Sequence, residues 1–147
     1  MHFEGRLPKV QPRAVLVDVD GTVALRGSRS PYDESLLHED APNMPVIEVV
    51  RALSDAGFRL VFVSGRTQGS LEPTTAWLRK HVRRPIEQLY LRQVGDDRRD
   101  ALIKKDIYEK SIRGHFDILC VIDDRQQVVD SWRALGLTCL QVAPGDF

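Results

Sequence analysis

The chain has 147 residues, the length of one domain, and 42% of them are hydrophobic and 29% charged, enough apolar material for a buried core without any tract that composition would mark as disordered. Positive and negative side chains cancel to a formal charge of zero, so global charge points to no polyanionic partner. No apolar run approaches the roughly 20 residues that cross a bilayer, and the opening "MHFEGRLPKVQPR" lacks the apolar centre of a signal peptide, so no membrane partner is expected and the cytoplasm is the expected location.

Short apolar runs alternate with helical periodicity along the chain. "AVLVD" (14–18) is a continuous apolar strand, as expected for one covered on both faces. Residues 21–42, rich in Gly, Ser, Pro and Asp, predict a hairpin or flap with little core of its own. "PVIEVVRALSDAG" (45–57) reads as a helix with Pro45 in its first turn, and "RLVFVSG" (59–65) as a second buried strand. "EPTTAWLRKHV" (72–82) is helical and "QLYLR" (88–92) a third strand; "RDALIKKDIYEKSIRG" (99–114) is one helix stopping at Gly114. "FDILCVIDD" (116–124), "QQVVDSWRALG" (126–136) and "LTCLQVA" (137–143) then predict strand, helix and strand. The succession specifies an α/β fold: a single doubly wound, Rossmann-like, five-stranded parallel sheet flanked by helices, with a small flap after the first strand, an N-terminal lead over 1–12 and no large cap. The two cysteines, Cys120 and Cys139, lie in strand-like segments and read as reduced core thiols.

In open parallel sheets the carboxyl ends of the strands form the binding edge. Three predicted strands end there in residues of catalytic type: Asp18 and Asp20 after the first, Ser64 after the second, Asp123 and Asp124 after the fourth. Carboxylates gathered on one spot repel each other, and a hard divalent cation relieves the repulsion; an all-oxygen set without thiolate or imidazole suits Mg2+ and speaks against zinc. Beside Mg2+, one carboxylate can attack a phosphoryl group and a second, two residues on, can protonate the leaving oxygen and activate water. Gly21 lets the chain turn so that both face one pocket. Ser64 with its neighbouring backbone N–H groups, and Lys104 on the later helix, are candidates to hold the phosphoryl oxygens. One of Lys104 and Lys105 faces the site and the other solvent; Asp100, one turn before Lys104, shares its face and either positions it or forms a surface salt bridge with it. The basic stretches "WLRKHVRRP" and "LRQVGDDRRD" are either a solvated helix face or a nucleic-acid track.

"DVDGT", "VSGR", a helical Lys and "IDD", in that order, resemble the four motifs of the haloacid dehalogenase phosphohydrolase superfamily. "RSPYD", "GDDRRDALIKKDIY" and "IDDRQQVVDSWRALGLTCLQVAPGDF" make the resemblance narrower: from about Pro12 to Phe147 the chain is similar to the 3′-phosphatase domain of bacteriophage T4-type polynucleotide kinase/phosphatases. The resemblance implies Asp18 as nucleophile, Asp20 as general acid–base, and Mg2+ held by Asp18, the backbone carbonyl of Asp20 and the Asp123–Asp124 pair. It implies Arg29, Arg66 and Asp100, with Lys104, as further active-site residues and Arg92 as a supporting one; from the residues alone, Arg29 could equally be a loop arginine in solvent. The kinase domain such phage enzymes carry has no counterpart here, since no G-x-x-x-x-G-K-[ST] loop occurs. The initial Met and short lead favour a complete, stand-alone phosphatase, with any kinase or ligase on another polypeptide; for a phage-encoded protein the expected place is the host cytoplasm.

Roughly 40 residues separate Asp20 from Ser64, and a similar number Ser64 from Lys104, and core elements use most of both intervals, leaving no room for a cap. An open site suits a phosphate at the end of a polymer, with the basic stretches along its backbone. The expected activity is Mg2+-dependent removal of 3′-phosphates from DNA or RNA ends in nucleic-acid repair. The rivals are a general small-molecule or nucleotide phosphomonoesterase and a non-catalytic protein that binds nucleic-acid ends.

Overall fold

The computed structural model describes residues 10–27, 30 and 33–147. Arg29 lies outside them. Among the described residues, seven strands and four α-helices follow in the order β1 (Arg13–Val17), β2 (Ala24–Leu25), β3 (Ala41–Pro42), α1 (Met44–Asp55), β4 (Arg59–Thr67), α2 (Leu71–Val82), β5 (Gln88–Arg92), α3 (Asp100–Ile107), β6 (Asp117–Asp123), α4 (Gln126–Ala134) and β7 (Cys139–Gln141). Five of the strands form one parallel sheet in the order β5-β4-β1-β6-β7, and β2 and β3 pair antiparallel beside it.

Alternate residues of each buried strand face opposite cores, which is why these strands read as unbroken apolar runs. Val15, Val17, Leu60, Phe62 and Ile122 point to one side and pack on Ile47 and Val50 of α1 and on Trp77, Leu78 and Val82 of α2. Ala14, Leu16, Val61, Val63 and Val121 point to the other and pack on Tyr108, Ile112 and, from α4, Val128, Val129 and Trp132. Cys120 and Cys139 fall in opposite cores as free, buried thiols, and burial together with nearby Asp123 pushes the Cys139 thiol up to about 12.

The chain winds outward from β1 to β4 and β5, then returns to the other side of β1 for β6 and β7. The direction reverses between β1 and β6, so the crevice at their carboxyl ends is the one such a sheet offers to a ligand. Among the described residues between Asp20 and Ser64, the chain forms the β2–β3 pair, a 3-10 turn (Glu34–Glu39), α1 and most of β4.

Strand β7 keeps only Cys139–Gln141 of the seven residues expected over 137–143, and two further elements differ in extent. The helix expected to run to Gly114 changes after Ile107 into a π-helical turn over Tyr108–Ile112, closed by the Arg113 N–H donating to Tyr108 O at 2.8 Å. The wider turn seats both Tyr108 and Ile112 in the core, where Tyr108 meets Trp132 edge-on with ring centroids 6.1 Å apart. Strand β4 runs on past Ser64 to Thr67, with a shift of register between Val63 and Thr67. That irregularity carries Arg66 to the site.

Candidate active site

The turn after β1 is built on one carbonyl. Val19 O accepts from the N–H groups of Thr22, Val23 and Ala24 at 3.0–3.2 Å, and Asp18 N donates to Ile122 O of β6 at 2.9 Å. Gly21 sits in the turn with φ 79°, and a Cβ there would stand 2.2 Å from Asp124 Oδ2. Both the backbone conformation and the space require glycine. The turn folds Thr22 back so that its hydroxyl donates to Asp18 Oδ2 at 2.9 Å and to Asp124 Oδ1 at 3.3 Å.

Three buried carboxylates meet here. Oxygens of Asp18, Asp123 and Asp124 all lie within 4.8 Å of one another. Lys104 on α3 is buried and donates to Asp18 Oδ1 at 2.7 Å and Asp123 Oδ2 at 2.9 Å, while Lys105 faces solvent. Asp123 is further held by Trp132 Nε1 at 3.1 Å and the Asp124 N–H at 2.8 Å. Burial, then repulsion from Asp123 and Asp124, pushes the Asp18 carboxyl well above the usual carboxylate range against the pull of Lys104; burial and Asp123 likewise raise Asp124. Burial disfavours the Lys104 ammonium, but Asp123 and Asp18 at hydrogen-bond distance hold its pKa above the ordinary value. Three carboxylates share one ammonium, so Lys104 stays charged and the surplus negative charge falls on the acids. An all-oxygen cluster with excess negative charge fits a hard divalent cation, and Asp18, Asp123 and Asp124 could hold one.

Asp20 stands apart from this cluster. Arg66 grips its carboxylate with Nε at 2.9 Å and Nη2 at 2.7 Å, and the Asp20 side chain is 42% exposed against 7% for Asp18. Arg66 itself is buried; it also donates to Asp40 Oδ2 at 3.0 Å and Thr74 Oγ1 at 3.1 Å. Asp40 caps the 3-10 turn and is pinned by Trp77 Nε1 donating to its carbonyl at 2.9 Å. Ser64 is fully buried, and its hydroxyl accepts from the Arg66 N–H at 3.1 Å.

Asp100 does not pair with Lys104. Its Oδ1 accepts from Arg92 Nη2 and its Oδ2 from Arg125 Nη1 at 2.8 Å, because the first residue of α3 points toward the loop after β6 while Lys104, a turn on, dips between β1 and β6. Arg92 is a structural brace: it also donates to the carbonyls of Gly65 at 2.7 Å, Asp96 at 2.8 Å and Arg98 at 2.7 Å. Sequence reasoning overlooked Asp40, Thr74, Arg125 and Trp132 as site neighbours. Arg125 carried a signal, being next to the acidic pair; Asp40, beside Glu39 in the polar stretch "HEDAP", carried none.

The basic stretches divide. Arg84 pairs with Asp55 at 2.7 Å, and Arg98 with Asp96 at 2.9 Å and Asp106 at 2.6 Å, whereas Arg79, Lys80, Arg83 and Arg99 are exposed. No helix among the described residues is long and apolar enough to cross a membrane.

Residues 12–147 match the sequence profile of the family described as the polynucleotide kinase PNKP phosphatase domain. Over 126 residues the chain is 37% identical to a protein of Autographa californica nuclear polyhedrosis virus that carries the name bifunctional polynucleotide kinase/RNA ligase, covering 84% of this chain and 18% of that one. Among solved structures it is similar to a chain of the Pnkp1/Rnl/Hen1 complex, with a TM-score of 0.90 and 38% identity over 95% of this chain and 48% of that one. It also shares its fold with a D,D-heptose 1,7-bisphosphate phosphatase from B. bronchiseptica, complexed with magnesium and phosphate, at a TM-score of 0.63 and 12% identity over 89% of this chain and 80% of that one. The chain thus spans under half the length of the first two relatives.

Proposed function

Because the chain belongs to the phosphatase-domain family of polynucleotide kinases, within the haloacid dehalogenase phosphohydrolases, we propose that it is a Mg2+-dependent polynucleotide 3′-phosphatase acting through an aspartyl-phosphate on Asp18. The observation that carries the reading is the division of labour between the two acids after β1: Asp18 is buried and oriented by Lys104 and Thr22, while Asp20 is half-exposed and held by Arg66.

In the first step a carboxylate oxygen of Asp18 attacks phosphorus, the P–O bond to the 3′ carbon's oxygen breaks, and Asp20 gives that oxygen its proton. The products are an acyl-phosphate and a 3′-hydroxyl end. Asp20 then takes a proton from water, whose oxygen attacks phosphorus; the bond to Asp18 breaks and inorganic phosphate leaves. Lys104 and the Ser64 region offset charge on the phosphoryl oxygens, and Arg66 keeps Asp20 in reach of both the leaving oxygen and the water. Asp18, Asp123 and Asp124, with the backbone carbonyl of Asp20, would hold Mg2+, which when bound supplies Lewis-acid stabilisation of the phosphoryl group. Arg29 is proposed, on the family motif alone, as a contact to the substrate phosphate.

Nucleic-acid ends as substrate, and repair as the setting, rest on the family and on the absence of a cap among the described residues between Asp20 and Ser64. Partner activities such as a ligase or kinase, which the relatives' names carry, are proposed for this chain on the same ground. The test is phosphate release from a 3′-phosphorylated oligonucleotide with Mg2+. Release that stops with chelator and with Asp18→Asn supports the reading; release that persists in either refutes the mechanism.

A further inference from the structure

Arg125 directly follows the Asp123–Asp124 pair and bonds both the first residue of α3 and the stretch 145–147. Its Nη1 donates to Asp100 Oδ2 at 2.8 Å, its Nε donates to the main-chain oxygen of Phe147 at 2.8 Å, and the Phe147 ring lies 4.9 Å from its guanidinium carbon. The stretch 145–147 is seated by two more hydrogen bonds, from the Gln126 N–H to Gly145 O at 2.8 Å and from Gln127 Nε2 to Phe147 O at 3.0 Å. Its main chain presses on the acidic loop: a Cβ at Gly145 would stand 2.3 Å from Asp124 O and 2.8 Å from Arg125 Cα. On the far side, Asp100 is shared with Arg92, which holds the carbonyl of Gly65, the residue between Ser64 and Arg66. Contacts therefore run unbroken from Gly145–Phe147 through Arg125, Asp100 and Arg92 to the other half of the site.

We propose that Gly145–Phe147 form a strap that makes Arg125 a positioning residue, setting the spacing between the Asp123–Asp124 loop and the Ser64–Arg66 segment for phosphoryl transfer. The proposal rests on the phosphatase reading but not on the polynucleotide as substrate. Arg125 and Asp100 are 30% and 27% exposed, so their ion pair adds little to stability and its value lies in direction. A planar guanidinium that bonds a carboxylate on one edge and a carbonyl on another fixes both, which an ammonium cannot reproduce. Misplacing reacting groups by about 1 Å can cost on the order of a hundredfold in rate.

The experiment compares steady-state kinetics and melting of wild type, Arg125→Ala, Arg125→Lys and Gly145→Ala on a 3′-phosphorylated oligonucleotide and on p-nitrophenyl phosphate. Arg125→Ala is expected to lower kcat about tenfold to a hundredfold by the same factor on both esters, with KM and melting temperature near wild type. Lysine should restore little. Gly145→Ala should lower kcat by the same factor on both esters with Arg125 intact, at some cost in melting temperature because its Cβ would meet Asp124 O and Arg125 Cα; if it does not fold, Phe147→Ala takes its place and should lower kcat on both esters. An unchanged kcat in the strap variant, or a rise in KM confined to the oligonucleotide, which would mark Arg125 as a backbone-phosphate contact, overturns the proposal. If wild type hydrolyses only the small ester, the polynucleotide reading fails and the strap is still judged on that ester.

Discussion

Asp18 and Asp20 are two residues apart and occupy opposite environments, one enclosed by Lys104 and Thr22, the other open to solvent and clamped by Arg66. Different penalties follow. On the proposed mechanism Asp18→Asn removes the attacking oxygen and should abolish turnover, whereas Asp20→Asn should leave a residue of activity, lowered about a hundred- to ten-thousandfold, as single-turnover phosphate release would measure. The crowded acids also set a pH dependence. Asp18 and Asp124 titrate above the ordinary carboxyl value in the fold and return to it on unfolding, so the native state binds more protons between the two values. Stability from this cluster is therefore present below that window and lost as pH rises through the raised values. In chelator, wild type should gain more melting temperature than Asp124→Asn does as the pH is lowered from neutral toward the ordinary carboxyl value. Mg2+ should stabilise wild type at neutral pH and Asp124→Asn less, which calorimetry with and without the ion would show. Equal responses in the two proteins would mean that the cluster is not where the cation acts. Asp18, Asp20, Ser64, Asp123 and Asp124 stood out in the sequence because each follows an apolar run, although β4 itself continues past Ser64 to Thr67. Asp40 and Thr74 were not, because a buried polar residue is told from a surface one only by the guanidinium that reaches it.

At the scale of elements, the helices act as carriers. α3 brings Lys104 under β1 and β6, and α4 brings Trp132, almost wholly buried, whose indole N–H donates to Asp123. Trp132→Phe keeps most of the ring packing and removes the donor, leaving a charged acceptor short of a partner; it should cost about 1–3 kcal/mol in urea unfolding. It should also impair turnover, since Asp123 loses one of the bonds that aim it at Lys104. A variant as stable and active as wild type would show that the indole contributes only its rings. Strand and helix order was readable because both faces of the sheet are buried, which turns β1, β4 and β6 into unbroken apolar runs. The π-turn over Tyr108–Ile112 was not, since apolar spacing near three and a half residues does not distinguish it from a continuing α-helix. The same holds for Trp132: apolar periodicity places an indole in the core and says nothing of where its N–H points.

For the molecule as a whole, zero net charge hides a division of the basic residues. Arg84, Arg92 and Arg98 are ion-paired with acids of the chain, Arg98 at the surface, and Arg79, Lys80, Arg83 and Arg99 are exposed. If some of these follow a strand's phosphates, added salt should raise KM for an oligonucleotide and leave that for a small ester nearly unchanged, because only the polymer binds with counterion release. A KM independent of salt for both would remove the surface cations from the account. The site built on Asp18 and its neighbours is proposed to serve the 3′ end of a nucleic acid. The most direct measurement is kcat/KM with Mg2+ on a 3′-phosphorylated oligonucleotide beside the matching 3′-mononucleotide. Phosphate should be released from both, with clear preference for the oligomer; an inert oligomer beside a rapidly hydrolysed mononucleotide would rule out the polynucleotide end as substrate.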